Sequence, residues 1–337
     1  MPLRRYIARI LSLSLILILA GSCTSSHGIR VGVSMGPSNE RWVKDADYLK
    51  QYLEARGAEV MVETAGDDEE RQAEQAGRMI REGIGVLIIV PVNSVTGGQI
   101  VDRAKERGVK VIAYDRIVKD CDLDYYISFD NIRVGEMQAD FLTRIKPAGR
   151  YAILGGDPED NNSVLLRLGQ MNVLQPLIIK GDIEVVVDRN VEQWDGGKAY
   201  EIIDEYLNGG GRLDAVIASN DALSGGACRA IGEHGLTGRV ILSGQDAETD
   251  ACRRIVRGEQ TMTVYKVVES LAYYTAEIAI ALASGETLPP SQTTVFNDKK
   301  MVPARLLSSM IPVSKENIRM TVIADGYLDE YQVFEQK

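Results

Sequence analysis

Ten side chains stand out for their chemistry and for their position: Arg41, Trp42, Asp115, Arg116, Asp160, Asn162, Trp194, Asn220, Asp246 and Lys266 each fall just beyond a short apolar run. They lie in Glu40-Arg41-Trp42, Asp115-Arg116, Asp157-Pro158-Glu159-Asp160-Asn161-Asn162, the stretch 190–194, Asn220-Asp221, Gln245-Asp246 and Lys266; Pro91-Val92-Asn93 and Asp130-Asn131 are stretches of the same kind. Taken singly, an Asp or Asn at such a place reads as a helix N-cap, whose side-chain oxygen accepts from an unpaired backbone N–H. Arginine and tryptophan do not cap helices, and both tryptophans of the chain sit at these junctions. Carboxylates accept from hydroxyls, while guanidinium, ammonium and amide N–H groups donate to hydroxyl lone pairs. An indole adds a flat apolar face for C–H bonds. Together these groups suit a small polyhydroxylated ring, a monosaccharide.

Other chemistries fit less well. Gly155-Gly156-Asp157 lacks the third glycine of a phosphate-cradling G-x-G-x-x-G loop, and Gly32 and Gly36 have the wrong spacing. Two histidines, His27 and His234, and four cysteines, with no C-x-x-C and no H-E-x-x-H, give no basis for a metal site, and no cofactor is expected. His234 precedes Gly235 and reads as a helix end, where a cation complements the helix dipole. Glycoside cleavage by Asp115 with Asp160 or Asp246 would need one carboxyl held protonated. The neighbouring cations oppose that, so an enzyme is not expected. With 38 basic against 48 acidic residues the net charge is −10, the wrong sign for a nucleic-acid partner.

The elements that must position these groups are legible as β-branched apolar runs: 29–34, 59–63, 86–90, 109–114, 125–129, 151–155, 183–188, 214–219, 240–244 and 262–265. Amphipathic stretches at helical spacing lie between most of them, such as Trp42, Tyr48, Leu49, Tyr52 and Leu53. Strands apolar throughout, alternating with helices, predict an α/β fold with parallel sheets covered on both faces. In such sheets ligands bind beyond the carboxyl ends of the strands, where the ten side chains fall. A length of 337 residues predicts two domains.

At the N-terminus, Arg4, Arg5 and Arg9 precede the apolar run 10–20, which is too short to span a bilayer and reads as an export signal. Ala20-Gly21-Ser22-Cys23 then resembles a bacterial lipobox, with Ala20 where Leu is usual; Cys23 becomes the lipidated first residue, or the leader is simply cleaved. Export permits disulfides. Cys228 and Cys252 lie on apolar helical stripes and read as buried thiols, with a bridge between them left open.

The segments Glu40-Arg41-Trp42-Val43-Lys44-Asp45, Ala113-Tyr114-Asp115-Arg116, Tyr126-Ile127-Ser128-Phe129-Asp130-Asn131, Asp160-Asn161-Asn162, Ala218-Ser219-Asn220-Asp221-Ala222, Ser243-Gly244-Gln245-Asp246-Ala247 and Thr261-Met262-Thr263-Val264-Tyr265-Lys266 resemble the D-xylose-binding members of the type I periplasmic binding proteins, from about Gly28 nearly to the C-terminus. The resemblance implies two doubly wound lobes joined by a multi-strand hinge and closing over a monosaccharide, most simply D-xylose, with hexoses excluded. Arg41, Asp115 and Arg116 would come from the N-terminal lobe; Asp160, Asn162, Asn220, Asp246 and Lys266 would come from the C-terminal lobe and hinge, with Trp42 and Trp194 stacking on the sugar. The family commonly has a proline soon after the second tryptophan, where this chain has Gly196-Gly197. The implied division is 1–22 signal peptide, 23–27 lipidated N-terminus and linker, 28–132 plus 267–300 N-terminal lobe, and 133–266 plus 301–337 C-terminal lobe. The implied partner is an ABC permease or, alternatively, a membrane sensor kinase or chemoreceptor. A DNA-binding regulator of this fold would need a helix-turn-helix where this chain has an export signal.

Overall fold

The computed structural model describes residues 28–288, 291 and 293–334, so the expected leader and Cys23 lie outside the described residues. In chain order the elements are β1 (Arg30–Met35), α1 (Glu40–Glu54), β2 (Glu59–Thr64), α2 (Glu69–Arg81), β3 (Val86–Val90), α3 (Gly97–Glu106), β4 (Lys110–Tyr114), β5 (Tyr125–Phe129), α4 (Asn131–Ile145), β6 (Gly149–Gly155), α5 (Asn161–Lys180), β7 (Ile183–Asn190), α6 (Gly196–Asn208), β8 (Ala215–Ala218), α7 (Asp221–Glu233), β9 (Ile241–Ser243), α8 (Thr249–Arg257), β10 (Thr263–Lys266), α9 (Val268–Ser284), β11 (Thr293–Phe296), β12 (Met301–Leu307), β13 (Met310–Val313) and α10 (Glu330–Phe334).

Two sheets form two lobes. The larger runs β11-β12-β5-β4-β3-β1-β2 and is parallel except for β11; the smaller runs β7-β6-β8-β9 and is wholly parallel. Central strands such as Val86-Leu87-Ile88-Ile89-Val90 are buried at every position because helices cover both faces, which is why they read as uninterrupted apolar runs. In the larger sheet the order reverses between β1 and β3, and in the smaller between β6 and β8. Each reversal leaves a crevice at the strand ends. The loops 36–39, 91–96, 156–160 and 219–220 border these two crevices.

The chain passes from the first lobe to the second after β5, and back after β10, so that α9 packs on α1 and against β3, β4 and β5. The third crossing was expected near residue 300, with 301 onward in the C-terminal lobe. The structure moves that boundary beyond Leu307, because β12 pairs in parallel with β5 from Ala304 opposite Tyr126 to Leu307 opposite Phe129 and so extends the larger sheet. Only then does β13 return to pair antiparallel with β10. Pro303 hides β12 in the sequence, since proline argues against an interior strand. Here it sits beside Thr294 of β11, just before the pairing with β5 begins.

Cys228 and Cys252 are free thiols, and Cys228 is only partly buried. Each sulfur faces a backbone carbonyl, that of Glu259 and of Ala247 respectively. His234 ends α7 just before Gly235, at φ +67°, and lies 2.9 Å from Asp204.

Candidate functional site

The loops at the two crevices face each other and enclose a cavity of about 250 Å³, lined by all ten side chains singled out above. Arg41 and Trp42 enter from the first turn of α1, whose buried stripe continues through Asp45, Leu49 and Leu53. Asp115 follows β4 at φ +61°, a region that residues with a Cβ seldom occupy. Three bonds to β5 hold it there: its N–H donates to the Ile127 carbonyl at 2.8 Å, and its own carbonyl accepts from Ser128 at 2.8 Å and Tyr126 at 3.1 Å. Arg116 comes next in the chain.

The opposing wall is built from helix starts. Asp160 caps α5, accepting from the Asn162 N–H at 2.9 Å, and Asn220 caps α7, accepting from Leu223 at 2.9 Å. The capping reading and the cleft reading therefore hold for the same residues. Asp246 caps nothing; it sits at φ +99° in a turn after β9. Trp194 ends a 3-10 turn, Glu192–Trp194, and lies flat against Gly156, where an added Cβ would meet the indole at 2.2 Å. No side chain other than glycine's leaves room for that packing. Lys266, the last residue of β10, reaches the cavity from the hinge.

Charges alternate around the cavity. Arg41 pairs with Asp115 at 2.5 Å, with Asp45 at 3.1 Å and with Asp246 at 3.5 Å; Lys266 pairs with Asp246 at 3.0 Å and with Asp115 at 3.9 Å. Two cations and two carboxylates thus form a closed ring that spans both lobes. Arg116 pairs with Asp160 across the cleft at 2.9 Å. Asn162 donates to the Asp115 carboxylate at 3.0 Å and accepts from Asn131 at 2.9 Å. Burial alone would raise the Asp115 pKa, but Arg41 and Lys266 outweigh it and hold the group down at about 2. For Asp45, one step further in, burial prevails over Arg41 and moves it up to about 6, while Tyr114 donates to its carboxylate. Burial also raises Asp160, against the pull of Arg116. The Arg41 guanidinium lies 4.1 Å from the Trp42 ring centre and that of Arg116 lies 5.5 Å from it, so Trp42 is a platform for cations as well as a wall.

Two residues that line this space each carry a buried polar atom with no hydrogen-bond partner among the described residues: the indole Nε1 of Trp194 and the amide oxygen of Gln245. Such atoms are costly unless something bonds them.

Several cavity residues were not among the ten. Asn131 and Gln245 follow strands and could have been nominated by position. Asn39, Asp67 and Gln193 also line the cavity; Asp67, at φ +63°, follows β2 in the short loop Gly66-Asp67-Asp68, which reads as no more than the cap of α2. A second space of about 150 Å³ shares Asp67, Arg116, Asp160, Gln193 and Trp194 with the first.

The lobes touch on both flanks of the cleft. On one, Thr249 at the start of α8 donates through its N–H at 3.0 Å and its hydroxyl at 2.7 Å to Glu40 of α1. Lys44 donates to the Tyr327 carbonyl at 3.0 Å on the same side. On the other flank Ser94 donates to the Glu159 carbonyl at 3.0 Å.

Residues 31–287 match the family described as periplasmic binding protein domain. The chain is 44% identical over 326 residues to the D-xylose-binding periplasmic protein of Escherichia coli, covering 96% of this chain and 98% of that one. It is 44% identical over 329 residues to the protein of the same description from Haemophilus influenzae, covering 95% and 98%. Among solved structures it is similar to an ABC transporter solute-binding protein from Clostridium phytofermentans with bound β-D-glucose, with a TM-score of 0.84 and 28% identity, covering 90% of this chain and 99% of that one.

Proposed function

This chain belongs to the periplasmic binding protein family, and from that premise we propose that it is an exported binding protein that captures a monosaccharide, D-xylose first, by closing its two lobes, and delivers it to the transmembrane subunits of an ABC permease. The observation that carries the sugar reading is the cavity between the lobes, in which alternating cations and carboxylates and two indoles line one space. Each ligand hydroxyl can donate to a carboxylate and accept from a guanidinium, ammonium or amide N–H. Because those groups come from both lobes, the contacts exist in full only when the lobes are closed, and that difference is the free energy that drives closure. Arg41, Asp115 and Arg116 supply one side; Asp160, Asn162, Asn220, Asp246 and Lys266 supply the other, with Trp42 and Trp194 against the C–H faces of the ring.

Nothing in this role calls for bond breaking: Asp115, held at about 2, remains a carboxylate and makes a poor general acid. Export and attachment through Cys23 belong to the same proposal. A diacylglyceryl cysteine supplies the two chains that stable anchoring needs. Labelling with a palmitate analogue in the native host, lost in Cys23→Ala, is the expected result; an unlabelled wild type removes the anchor and leaves the sugar role intact.

A second reading, that aldohexoses bind as well, is favoured by the adjoining space of about 150 Å³ and by the glucose bound in the similar solved structure. Thermal unfolding with each sugar decides between them, since a ligand specific to the folded state stabilises it by about 2.7 kcal/mol at a hundredfold excess over its Kd. Xylose is expected to raise the Tm more than glucose. Equal shifts replace the pentose assignment by a general aldose one, and no shift with any pentose or hexose overturns the sugar reading.

A further inference from the structure

We propose that Asp221, which does not line the cavity, is the positioning residue that holds the Gln245-Asp246-Ala247-Glu248 turn in the shape that aims Asp246 at the ligand. The inference rests on the sugar-binding reading of the cleft. Asp246 and Ala247 both have left-handed backbone, φ +99° and +52°, although neither is glycine. Such a turn persists only where its surroundings over-determine it.

Strand β10 supplies part of that constraint, its Val264 carbonyl accepting from the Asp246 N–H at 2.9 Å, and Asp221 supplies bonds at the two ends of the turn. Its backbone N–H donates to the Gln245 carbonyl at 3.0 Å. Its carboxylate accepts from the Glu248 N–H at 3.0 Å and from the Thr263 hydroxyl at 2.9 Å, and Thr263 in turn accepts from the Ala247 N–H at 3.3 Å. The other carboxylate oxygen accepts from Gln260 at 3.0 Å, and Gln260 also donates to the Met262 carbonyl, just before β10. Arg254 donates to the Asp221 carbonyl at 3.0 Å and to the Gln260 amide oxygen at 3.0 Å. One residue, through its N–H at the Gln245 end and its carboxylate at the Glu248 end, thus ties together both ends of the turn and the strand that carries Lys266. Gly244 makes room for it: an added Cβ there would lie 2.0 Å from the Asp221 oxygen. Asp221 is buried behind the wall, so any effect it has on a ligand passes through its neighbours, the turn first among them.

Asp221→Asn keeps size and backbone but turns one acceptor into a donor. Whichever way the amide faces, it meets a group that already donates, Gln260 on one side or Glu248 and Thr263 on the other. The test is a double-mutant cycle by calorimetry with D-xylose on wild type, Asp221→Asn, Asp246→Asn and the double variant. Hydrogen exchange of the 244–248 amides in sugar-free protein runs alongside it. Asp221→Asn is expected to weaken binding at least tenfold in the wild-type background and less than twofold in the Asp246→Asn background, because residues acting through one another are not additive. Exchange at 244–248 should quicken while the N-terminal lobe stays unchanged. Losses that simply multiply, or a turn whose exchange does not change, overturn the proposal by making Asp221 an ordinary stabilising residue. If Asp221→Asn does not fold, Thr263→Val, which removes only the bridge to Ala247, enters the same cycle with an expected loss of about threefold. If the wild type binds no monosaccharide, the reading of the cleft fails, and the exchange comparison alone decides whether Asp221 holds the turn.

Discussion

Asp115 and Asp246 reach the same two cations, Arg41 and Lys266, from opposite lobes, and each does so from left-handed backbone. They are held there differently. Asp115 is fastened by the adjacent strand: β5 supplies one carbonyl and two hydroxyls, so its strain is absorbed within the sheet. Asp246 has one such bond, from its N–H to the Val264 carbonyl of β10 at 2.9 Å, and otherwise depends on side chains from several elements, with Asp221, Thr263 and Tyr327 all bonded to its turn. The rest of each wall follows suit. On the first lobe Arg41, Asp115 and Arg116 cap no helix and are kept in place by charge, whereas on the second Asp160 and Asn220 are the N-caps of the helices they begin. The first wall is a prebuilt electrostatic surface. The second takes its shape from turn and cap geometry, so affinity and stability are coupled there.

Substitutions at six positions sharpen that contrast. The largest effect is expected for Asp115→Ala, which leaves Arg41 and Lys266 buried with one carboxylate fewer. Removing one partner of a buried pair costs about 3–5 kcal/mol, read as a lower denaturation midpoint, and sugar binding should vanish with it. A loss of stability below about 1 kcal/mol would show that the ring of charges is not what holds the first wall. The same pairing sets a pH dependence. The folded pKa of Asp115, about 2, lies below its ordinary 3.8, so its contribution is present above the ordinary value and is lost as pH falls from there through about 2. Asp115→Asn should flatten that part of the acid-stability curve.

Next come Arg116→Ala and Asp246→Ala, each expected to weaken xylose binding at least tenfold, on the order of 1.5–3 kcal/mol per lost charge-assisted bond. Trp42→Phe should cost less, since it retains most of the stacking face. Unchanged affinity in both alanine variants would remove these side chains from the binding site. Asn220→Ala follows, losing about 1 kcal/mol of stability with its cap and affinity as well. If its affinity is unchanged, capping is its whole role and the second wall is less coupled than the geometry suggests. The smallest effect is expected for Glu40→Gln, which weakens the contact with Thr249 on a flank of the cleft. This partly exposed contact is worth less than about 1 kcal/mol and should appear as sugar dissociation up to threefold faster, with little change in stability.

What could be read in advance follows the same division. Arg41 and Arg116 could be nominated because an arginine just beyond a strand, at a helix start or in a loop, has no capping role to explain it. Asp160 and Asn220 could be placed but not interpreted, since a cap and a ligand-binding group are the same residue types at the same position. Asp67 gave no signal beyond a cap, and Gln245 was visible only as the neighbour of Asp246. The strand Met301–Leu307 was hidden by Pro303, which misplaced the last crossing between lobes.

The sequence by itself determined the parallel α/β architecture and the loops in which chemistry would be found, because strands buried on both faces must be apolar and residues beginning helices must cap them. Only the tertiary structure decided who meets whom. Arg41 and Asp246 are 205 residues apart, and their contact depends on two sheets presenting their reversal points to each other. The left-handed turns at Asp115 and Asp246 are likewise imposed from outside, by β5 in one case and by β10, Tyr327 and the bonds of Asp221 in the other. A non-glycine residue has no local preference for that conformation, so nothing local could announce it.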